Sequence, residues 1–486
     1  MTTNSSRSSA PRPGGEPPLG LSFPLYVSLL LTSRLTRAGW VVLAASLLCV
    51  RADLAWPSVP AAAAPLPRPV VQQTLSNGVA PHFWSVALAE SLMKRYPDFS
   101  LAYLGSWTYA HGYTLCGFEM LYQATGDRRY YDFIKRYIDQ HIDEHGNFRQ
   151  VMDGRGRLRD TVFNNQYNMM LANTLVMLYE HTGDIRYQAA ARRIRQALDD
   201  YPRNSNGGLW HSHSLPGQWW IDGIFMSQMF LIRYGKSIGD ADYCFHEATR
   251  QILTYARNAE RGTTGLLLHA TFEPGHGGVV PRWADPKTGL SPEVWSEGLG
   301  WYTLVTVETL AALPATHPRR AEVAAVFRRV CAGLKRTQDP ATGGWFTVVD
   351  KLEAPGNWID SSGTAMFVYT LQRGLELGLL NWNEYAFVVK KGYAAMTNLL
   401  KVNAEGLVDV YSASDTLAVQ PSYEAYINNP KRAVNAKEAV AGVLWATTLL
   451  ERPELEKFKT KVAPEPRAGV QPGKAPLSNN KTEKQP

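Results

Sequence analysis

The chain has 486 residues, a formal net charge of +7 and an apolar fraction of 45%, which is the composition of a folded globular protein. No basic run has the density of a nucleic-acid-binding patch, so we predict no nucleic-acid partner. The four cysteines form no CxxC pair, which argues against a zinc ribbon or a disulfide framework. P-loop, dinucleotide, Gx-Ser-xG and HExxH motifs are also absent, which argues against nucleotide, hydride and zinc-protease chemistry.

The N-terminal region has the layout of a secretory signal. Arg34 and Arg37 precede an apolar run at residues 39–50, and a small-residue segment follows at 60–65. The run is too short to span a bilayer. We therefore predict a secreted or periplasmic protein without a stable membrane span, a short membrane anchor being the alternative. Residues 1–77 are assigned to this signal and to an Ala/Pro-rich linker.

Residues 78–460 are predicted to form the folded domain, and the polar, Pro-rich residues 461–486 a disordered tail. The domain contains an internal repeat, with Gly-Asp pairs 57 and 56 residues apart. The three copies are residues 121–137, 178–194 and 233–249, with Gly-Asp at 126/127, 183/184 and 239/240.

Each copy predicts a helical hairpin. An apolar helix ends at Gly, which supplies a left-handed turn, and Asp or a neighbouring residue caps the next helix. A repeat of roughly 60 residues fits about six times into the domain, and strand patterns are nearly absent. The fold class is therefore all-α, built from tandem helical hairpins. The pattern leaves open whether the hairpins form an open solenoid or a closed ring.

The loop at residues 207–226 gathers aromatic, histidine and acidic side chains before a predicted helix. Asp222 stands where the helix begins, so an N-cap is one interpretation. A carboxyl group between Trp219 and Trp220 would also be removed from water, which suits a general acid. The pair His211 and His213 has no third partner for a metal, and we predict neither a metal nor a cofactor.

Two further stretches carry candidate residues. Residues 264–302 form a long loop rich in Gly and Pro, which is uncommon unless functional. We interpret its aromatic side chains as a wall for sugar rings, with core packing as the alternative. The stretch at 356–366 places Asp360 and two serines at a helix start, where capping is expected. The notable residues of the long loop are His269, His276, Trp283, Trp295, Glu297 and Trp301.

Seven segments in order resemble glycoside hydrolase families 105 and 88, the unsaturated rhamnogalacturonyl and glucuronyl hydrolases. They are WTYAHGYTLCG (107–117), TGDIRY (182–187), GGLWH (207–211), QWWIDG (218–223), GLLLHA (265–270), TGLSPEVW…GWY (288–302) and NWIDSSG (357–363). The resemblance runs from about residue 107 to 451.

The resemblance implies an (α/α)6 barrel with these loops at one mouth. It implies an acidic oligosaccharide substrate that ends in a 4,5-unsaturated uronic acid. Protonation of C4 and addition of water at C5 would then release the sugar, and one carboxyl group can serve as acid and base. Asp222 matches the acid/base. The substrate-binding candidates are Tyr109, Tyr167, Asn168, His211, His213, Trp219, Trp220, His269, Trp295 and Trp301.

Three positions depart from the family pattern. Tyr167 stands where a second Asp is expected, Ser212 where a Lys is expected, and Glu297 where an Arg is expected. Without those cations the uronate carboxylate needs another partner. The candidates are His213, His276 and Arg282, and we favour His213 because it is near Asp222 in the sequence. A sugar-binding protein without activity, and an epimerase or another glycosidase on the same barrel, are the alternative functions.

Overall fold

The computed structural model describes residues 83–103, 107–149, 163–429 and 432–459. The predicted signal, linker and tail, and the domain boundaries at 78 and 460, lie outside the described residues. The helices in these ranges are α1 Trp84–Arg95, α2 Tyr109–Thr125, α3 Arg128–Asp139, α4 Ala172–Thr182, α5 Ile185–Gln196, α6 Ile221–Ser237, α7 Ala241–Ala259, α8 Ser296–Ala312, α9 Arg320–Thr337, α10 Ser361–Glu376, α11 Trp382–Thr397, α12 Tyr423–Asn428 and α13 Lys437–Leu455.

Short strands occur in the loops. They are β1 Gln218–Trp220, β2 Ala270–Phe272, β3 Leu400–Val402, β4 Val408–Ala413 and β5 Ala433–Val434. β1 pairs with β2 in antiparallel fashion, and β3, β4 and β5 form a second small antiparallel sheet. Among the described residues, none of the helices has the length and apolar character needed to cross a membrane.

The helices form two concentric rings. The inner ring is α2, α4, α6, α8, α10 and α13, in which each helix packs against the next and α13 packs back against α2. A 3-10 helix, Gln166–Leu171, precedes α4 and contacts both α2 and α6. The outer helices α3, α5, α7, α9 and α11 each pack on the inner helix before them, and α1 packs on α13. The all-α barrel of six hairpins is therefore confirmed, and the ring is closed.

The amino-acid pattern explains the two rings. An outer helix such as α3 buries one face, with Tyr130, Phe133, Ile134 and Tyr137 spaced three and four residues apart. An inner helix such as α8 is buried at most of its positions, because it touches neighbours on all sides. The apolar content of a helix therefore indicates its ring.

The first and last helices of the described barrel are joined by a helix cap, which a residue of α13 provides to α1. The carboxyl group of Glu451 in α13 accepts hydrogen bonds from the backbone N–H groups of Trp84 at 2.9 Å and Ser85 at 3.1 Å. These are the first N–H groups of α1, and the residue before them offers no side-chain cap. Glu451 thus ties the first outer helix to the last inner one.

Two of the three repeat copies have the predicted turn. Gly126 and Gly183 are left-handed, with φ of 71° and 70°. Asp127 accepts from the N–H of Arg129, and Asp184 from that of Arg186, each at 3.0 Å.

The third copy does not follow the prediction. Its turn has one more residue, because α6 ends at Ser237 and both Ile238 and Gly239 precede Asp240. Asp240 itself takes the left-handed conformation, with φ of 62°, and makes no side-chain cap. The predicted capping role of Asp240 is therefore wrong.

All six inner helices begin at the same end of the barrel, since each outer helix carries the chain back before the next inner helix starts. The positive ends of their backbone dipoles converge there. The long loops that precede α6, α8 and α10 lie at this end too, and we call it the mouth.

Candidate active site

Asp222 is the second residue of α6 and faces the mouth. The residue at the N-cap position is Trp220, and no side chain caps this helix start. The side chain of Asp222 is 14% exposed, and its Oδ2 lies 3.1 Å from Nε2 of His269. Asp222 is therefore not the N-cap that one interpretation of the sequence predicted. It is a partly exposed carboxyl group held by a histidine.

His269 is held on both ring nitrogens. Its Nδ1 lies 2.8 Å from the hydroxyl oxygen of Tyr426, opposite the contact with Asp222. The backbone carbonyl of His269 accepts from the N–H of Ile221 at 2.9 Å, which fixes the start of α6 beside the ring. The ring is tilted against Trp295, with centroids 4.6 Å apart.

A continuous arc of rings surrounds Asp222. His211 stacks on Trp220, with centroids 4.3 Å apart and planes at 18°. The arc continues to Tyr167 at 5.6 Å from His211 and to Tyr109 at 6.5 Å from Tyr167. Its members are Trp301, Tyr109, Tyr167, His211, Trp220, His269 and Trp295.

The arc has an accessible layer and a buried one. Tyr109, Tyr167 and Trp220 are partly exposed. Trp295 and Trp301 are 1% exposed, so they form the buried layer and support the accessible layer from behind. A sugar ring entering the mouth would meet the first three rings, while the others fix their positions.

Three predicted residues lie away from the arc. Trp219 points to the opposite side of β1 from Trp220, as alternation along a strand requires, and packs against Tyr255. His213 is exposed and packs edge-on against Tyr201. Asn168 is buried, and its backbone carbonyl accepts from the indole of Trp107.

The other two residues considered for a charged substrate also lie elsewhere. His276 is paired with Glu273 at 2.8 Å and lies edge-on to Trp210. The side chain of Arg282 is exposed in the loop between β2 and α8.

A group of buried carboxyl groups lies behind the arc. Glu297 is 2% exposed and accepts a hydrogen bond from the hydroxyl of Ser362 at 2.8 Å. The same hydroxyl contacts Asp360 at 2.9 Å. Burial, with the nearby charges of Glu438 and Asp360, raises the pKa of Glu297 well above its usual range. Burial therefore favours the protonated form of Glu297, which explains how this residue is accommodated without a cation.

The surroundings of His211 disfavour a positive charge on its ring. Burial lowers its pKa to about 4, although the charge of Asp222 acts in the other direction. Its Nδ1 is buried and makes no hydrogen bond to any described residue. His211 is thus a neutral ring of the arc. In the described part of the chain, no three His, Cys, Asp or Glu side chains are placed to hold a metal ion.

Sequence reasoning missed Tyr426 and Glu438. Glu438 is 1% exposed, and the hydroxyl of Tyr109 donates to it. A signal for it did exist. Asp222, Glu297 and Glu438 each occupy the second position of an apolar inner helix. Tyr426 lies in the short helix α12, 157 residues from His269, and no motif marks it.

Comparison with known proteins agrees with this geometry. The model of Glycosyl Hydrolase Family 88 matches residues 84–452. Protein Atu3128 of Agrobacterium fabrum is 34% identical over 181 residues, which are 37% of this chain and 74% of that protein. The unsaturated rhamnogalacturonyl hydrolase YesR of Bacillus subtilis is 25% identical over 336 residues, 68% of this chain and 85% of YesR.

A solved structure supports the same assignment. A family 105 glycoside hydrolase of C. acetobutylicum has 27% sequence identity and a TM-score of 0.68, and covers 76% of this chain and 99% of its own. The family match extends over the whole described barrel, including the mouth with Asp222. The chain therefore belongs to glycosyl hydrolase family 88 and is a glycoside hydrolase.

Proposed function

We propose that this enzyme removes a 4,5-unsaturated uronic acid from the non-reducing end of oligosaccharides made by polysaccharide lyases. The observation that carries the proposal is the partly exposed carboxyl group of Asp222, which lies inside an arc of aromatic rings. The relative YesR, named as an unsaturated rhamnogalacturonyl hydrolase, supports the choice of substrate class.

The state of Glu297 favours a reaction that uses one carboxyl group. Ordinary glycosidases use a pair, one as acid and the other as nucleophile or base. Here the field of Asp222 reaches Glu297, yet Glu297 is buried, bonded to Ser362 and protonated. A protonated, buried carboxyl group is a poor nucleophile. Hydration of an enol ether needs only one group that gives a proton and takes it back.

The proposed steps balance as the addition of one water molecule. Asp222 gives its proton to C4 of the unsaturated ring, which leaves an oxocarbenium ion at C5. Water then adds at C5 and returns a proton to Asp222. The resulting hemiketal opens and releases the neighbouring sugar with a free hydroxyl group. His269 holds one oxygen of Asp222, so the other is left for both transfers.

The acidity of the substrate needs a partner, because an unpaired carboxylate is costly to bury. Lys437, a cation that reaches Tyr109 of the arc through Glu438, is already paired with Asp415 and Glu438. We propose recognition by neutral donors. His211 is a neutral ring of the arc, and the converging helix N-termini add a favourable potential.

The placement of the histidines disfavours an epimerase. Such an enzyme would need two histidines that exchange protons with the substrate from opposite sides. Both ring nitrogens of His269 are already engaged, by Asp222 and Tyr426. His211 remains as one candidate. His213 packs on Tyr201 and therefore does not face His211 across the substrate.

A panel of lyase-generated oligosaccharides tests the proposal. The purified enzyme should abolish the alkene absorbance of at least one unsaturated rhamnogalacturonyl or glucuronyl product, with release of one equivalent of sugar. Saturated oligosaccharides of the same composition serve as controls and should stay intact. Binding without loss of the alkene would indicate a sugar-binding protein instead, and cleavage of the saturated controls would indicate an ordinary glycosidase.

A further inference from the structure

The contact between Tyr426 and His269 determines where the ring proton of His269 lies. The hydroxyl of Tyr426 is 2.8 Å from Nδ1 of His269, and Tyr426 is 0% exposed. Either atom of such a pair could donate. The surroundings of the hydroxyl decide between the two possibilities.

The hydroxyl of Tyr426 is buried, and Nδ1 of His269 is the one hydrogen-bond partner found for it among the described residues. A buried hydroxyl proton needs an acceptor. Among the described residues, Nδ1 of His269 is the acceptor within reach. Burial also raises the pKa of Tyr426, so the hydroxyl keeps its proton at every working pH.

The segment that carries Tyr426 is fixed independently of His269. Ser422 caps α12 by accepting from the N–H of Ala425. The hydroxyl of Tyr423 donates to the backbone carbonyls of Ala354 and Pro355, at 3.2 and 3.0 Å. The indole of Trp358 donates to the carbonyl of Ile427 at 3.1 Å. Tyr426 is thus held in place by the loop before α10.

The ring of His269 is confined as well. Trp295 covers one side, and α8 approaches so closely that a Cβ at Gly298 would lie 3.5 Å from Cδ2 of the ring. A ring held this way cannot easily turn over to exchange its two nitrogens. Its tautomer then depends on the partner of Nδ1.

We propose that Tyr426 is a positioning residue, whose hydroxyl donates to Nδ1 of His269 and keeps the ring proton on Nε2, facing Asp222. This rests on the proposed role of Asp222. With the proton on Nε2, His269 donates to Oδ2 of Asp222 and fixes that oxygen. The other oxygen then carries the proton to the substrate and recovers it from water.

The variant Tyr426→Phe removes one oxygen and keeps the ring that packs with Trp295, Val348 and Leu417. We expect kcat to fall about 10- to 100-fold, because loss of an orienting partner of a catalytic histidine has effects of this size. KM should change less than about threefold. Tyr369→Phe is the control, since it removes a buried hydroxyl that is bonded to Glu308 and does not touch His269, and it should leave kcat unchanged.

Nitrogen-15 NMR of histidine-labelled enzyme reads the tautomer without any substrate. The His269 signals are assigned by their loss in His269→Gln. In the wild type, Nδ1 should resonate as an unprotonated nitrogen and Nε2 as a protonated one, and Tyr426→Phe should give a mixture. A protonated Nδ1 in the wild type overturns the proposal. So does a Tyr426→Phe enzyme with unchanged tautomer and kcat, or a Tyr369→Phe enzyme with the same losses.

The two readouts separate this proposal from the proposed function. If no unsaturated uronide is turned over, the proposed function fails, yet the NMR signals still report the tautomer. If uronides are turned over and the tautomer is wrong, only the role of Tyr426 fails.

Discussion

The tripeptide Trp-Ile-Asp begins two inner helices, at residues 220–222 and 358–360, and its aspartate does different things in the two places. At α6, Asp222 is the second helical residue, is partly exposed and contacts His269. At α10, Asp360 is the N-cap, is 0% exposed and accepts from the N–H of Ser362 at 3.1 Å. The same three residues thus build a candidate acid at one helix start and a cap at the other.

The difference arises from a shift of two residues in where the helix begins. Before α6, the N–H of Ile221 donates to the carbonyl of His269 and the helix starts at Ile221 itself. Before α10, the extended pairing continues to Asp360, whose N–H donates to the carbonyl of Trp345, and the helix starts at Ser361. A local motif therefore indicates a helix start, but the pairing of the preceding loop decides whether its aspartate caps or faces the pocket.

The largest expected effect comes from Asp222→Asn. We expect kcat to fall by about 10²- to 10⁴-fold, because an amide cannot give and recover the proton. Stability should change little, since Asp222 caps no backbone N–H with its side chain. Turnover of a proven uronide and thermal unfolding measure the two effects. Near-normal turnover of the purified variant would show that Asp222 is not the acid.

The opposite result is expected at the other aspartate. Asp360→Ala leaves the N–H of Ser362 and the hydroxyl of Ser296 without their acceptor. The free energy of unfolding should fall by about 2–4 kcal/mol, from the lost cap and the unpaired buried groups. Activity per folded molecule should fall less than tenfold. Asp360→Asn, which can still cap, is the control and should be milder in urea unfolding. Equal stability of Asp360→Ala and the wild type would contradict the capping role.

These contrasts show how far the sequence could be interpreted. Gly126-Asp127 and Gly183-Asp184 predicted two hairpin turns, because their conformations depend only on neighbours in the chain. Closure of the ring could not be derived from the repeat, because it depends on contacts between the first and last helices of the barrel. The contact of Glu451 with Trp84 is one of them. Local patterns predicted local structure.

The site was predictable to a similar extent. The motif QWWIDG pointed to Asp222 and Trp220, but the side of the strand on which each Trp lies follows from the pairing of β1 with β2. Trp219 therefore packs into the core although it adjoins Trp220. Tyr426 reaches His269 only through the tertiary structure, so its sequence surroundings carry no mark of it.

Glu297 connects the two helix starts, since it accepts from Ser362 and lies in the field of Asp222. Its pKa is raised in the folded protein, so the folded state holds a proton that the unfolded chain releases above its ordinary pKa of 4.5. This contribution to stability is complete below that pH and is lost as pH rises through the folded pKa.

Glu297→Gln mimics the protonated form and should remove that pH dependence. We expect its free energy of unfolding to lie within about 1 kcal/mol of the wild type at pH 4.5, because the amide oxygen can still accept from Ser362. Above that pH the wild type should lose stability relative to the variant. Urea unfolding from pH 4.5 to 8 measures the difference, and parallel curves would mean that Glu297 is ionised in the folded protein.

The smallest expected effect is the change of KM with pH, which depends on how the uronate carboxylate is bound near the tryptophan of each tripeptide. Trp220 stacks on the neutral His211, whereas the guanidinium of Arg432 lies 5.6 Å from the ring of Trp358. If neutral donors bind the uronate, its KM should not follow the titration of a histidine. Burial holds the pKa of His211 at about 4, so its charge is constant between pH 5 and 8. The uronate is also ionised throughout that range, as carboxyl groups with a pKa of roughly 4 are.

We therefore expect KM for an unsaturated uronide to vary less than about twofold from pH 5 to 8. A histidine with an ordinary pKa would lose its positive charge as pH rises through about 6.5, and KM would then increase over that interval. Arg432→Gln is the matched control, because it removes the cation at the other tryptophan and should leave KM unchanged. A KM that rises between pH 6 and 7.5 would show that a protonated histidine binds the carboxylate. A KM that rises only in Arg432→Gln would move recognition of the acid from the start of α6 to that of α10.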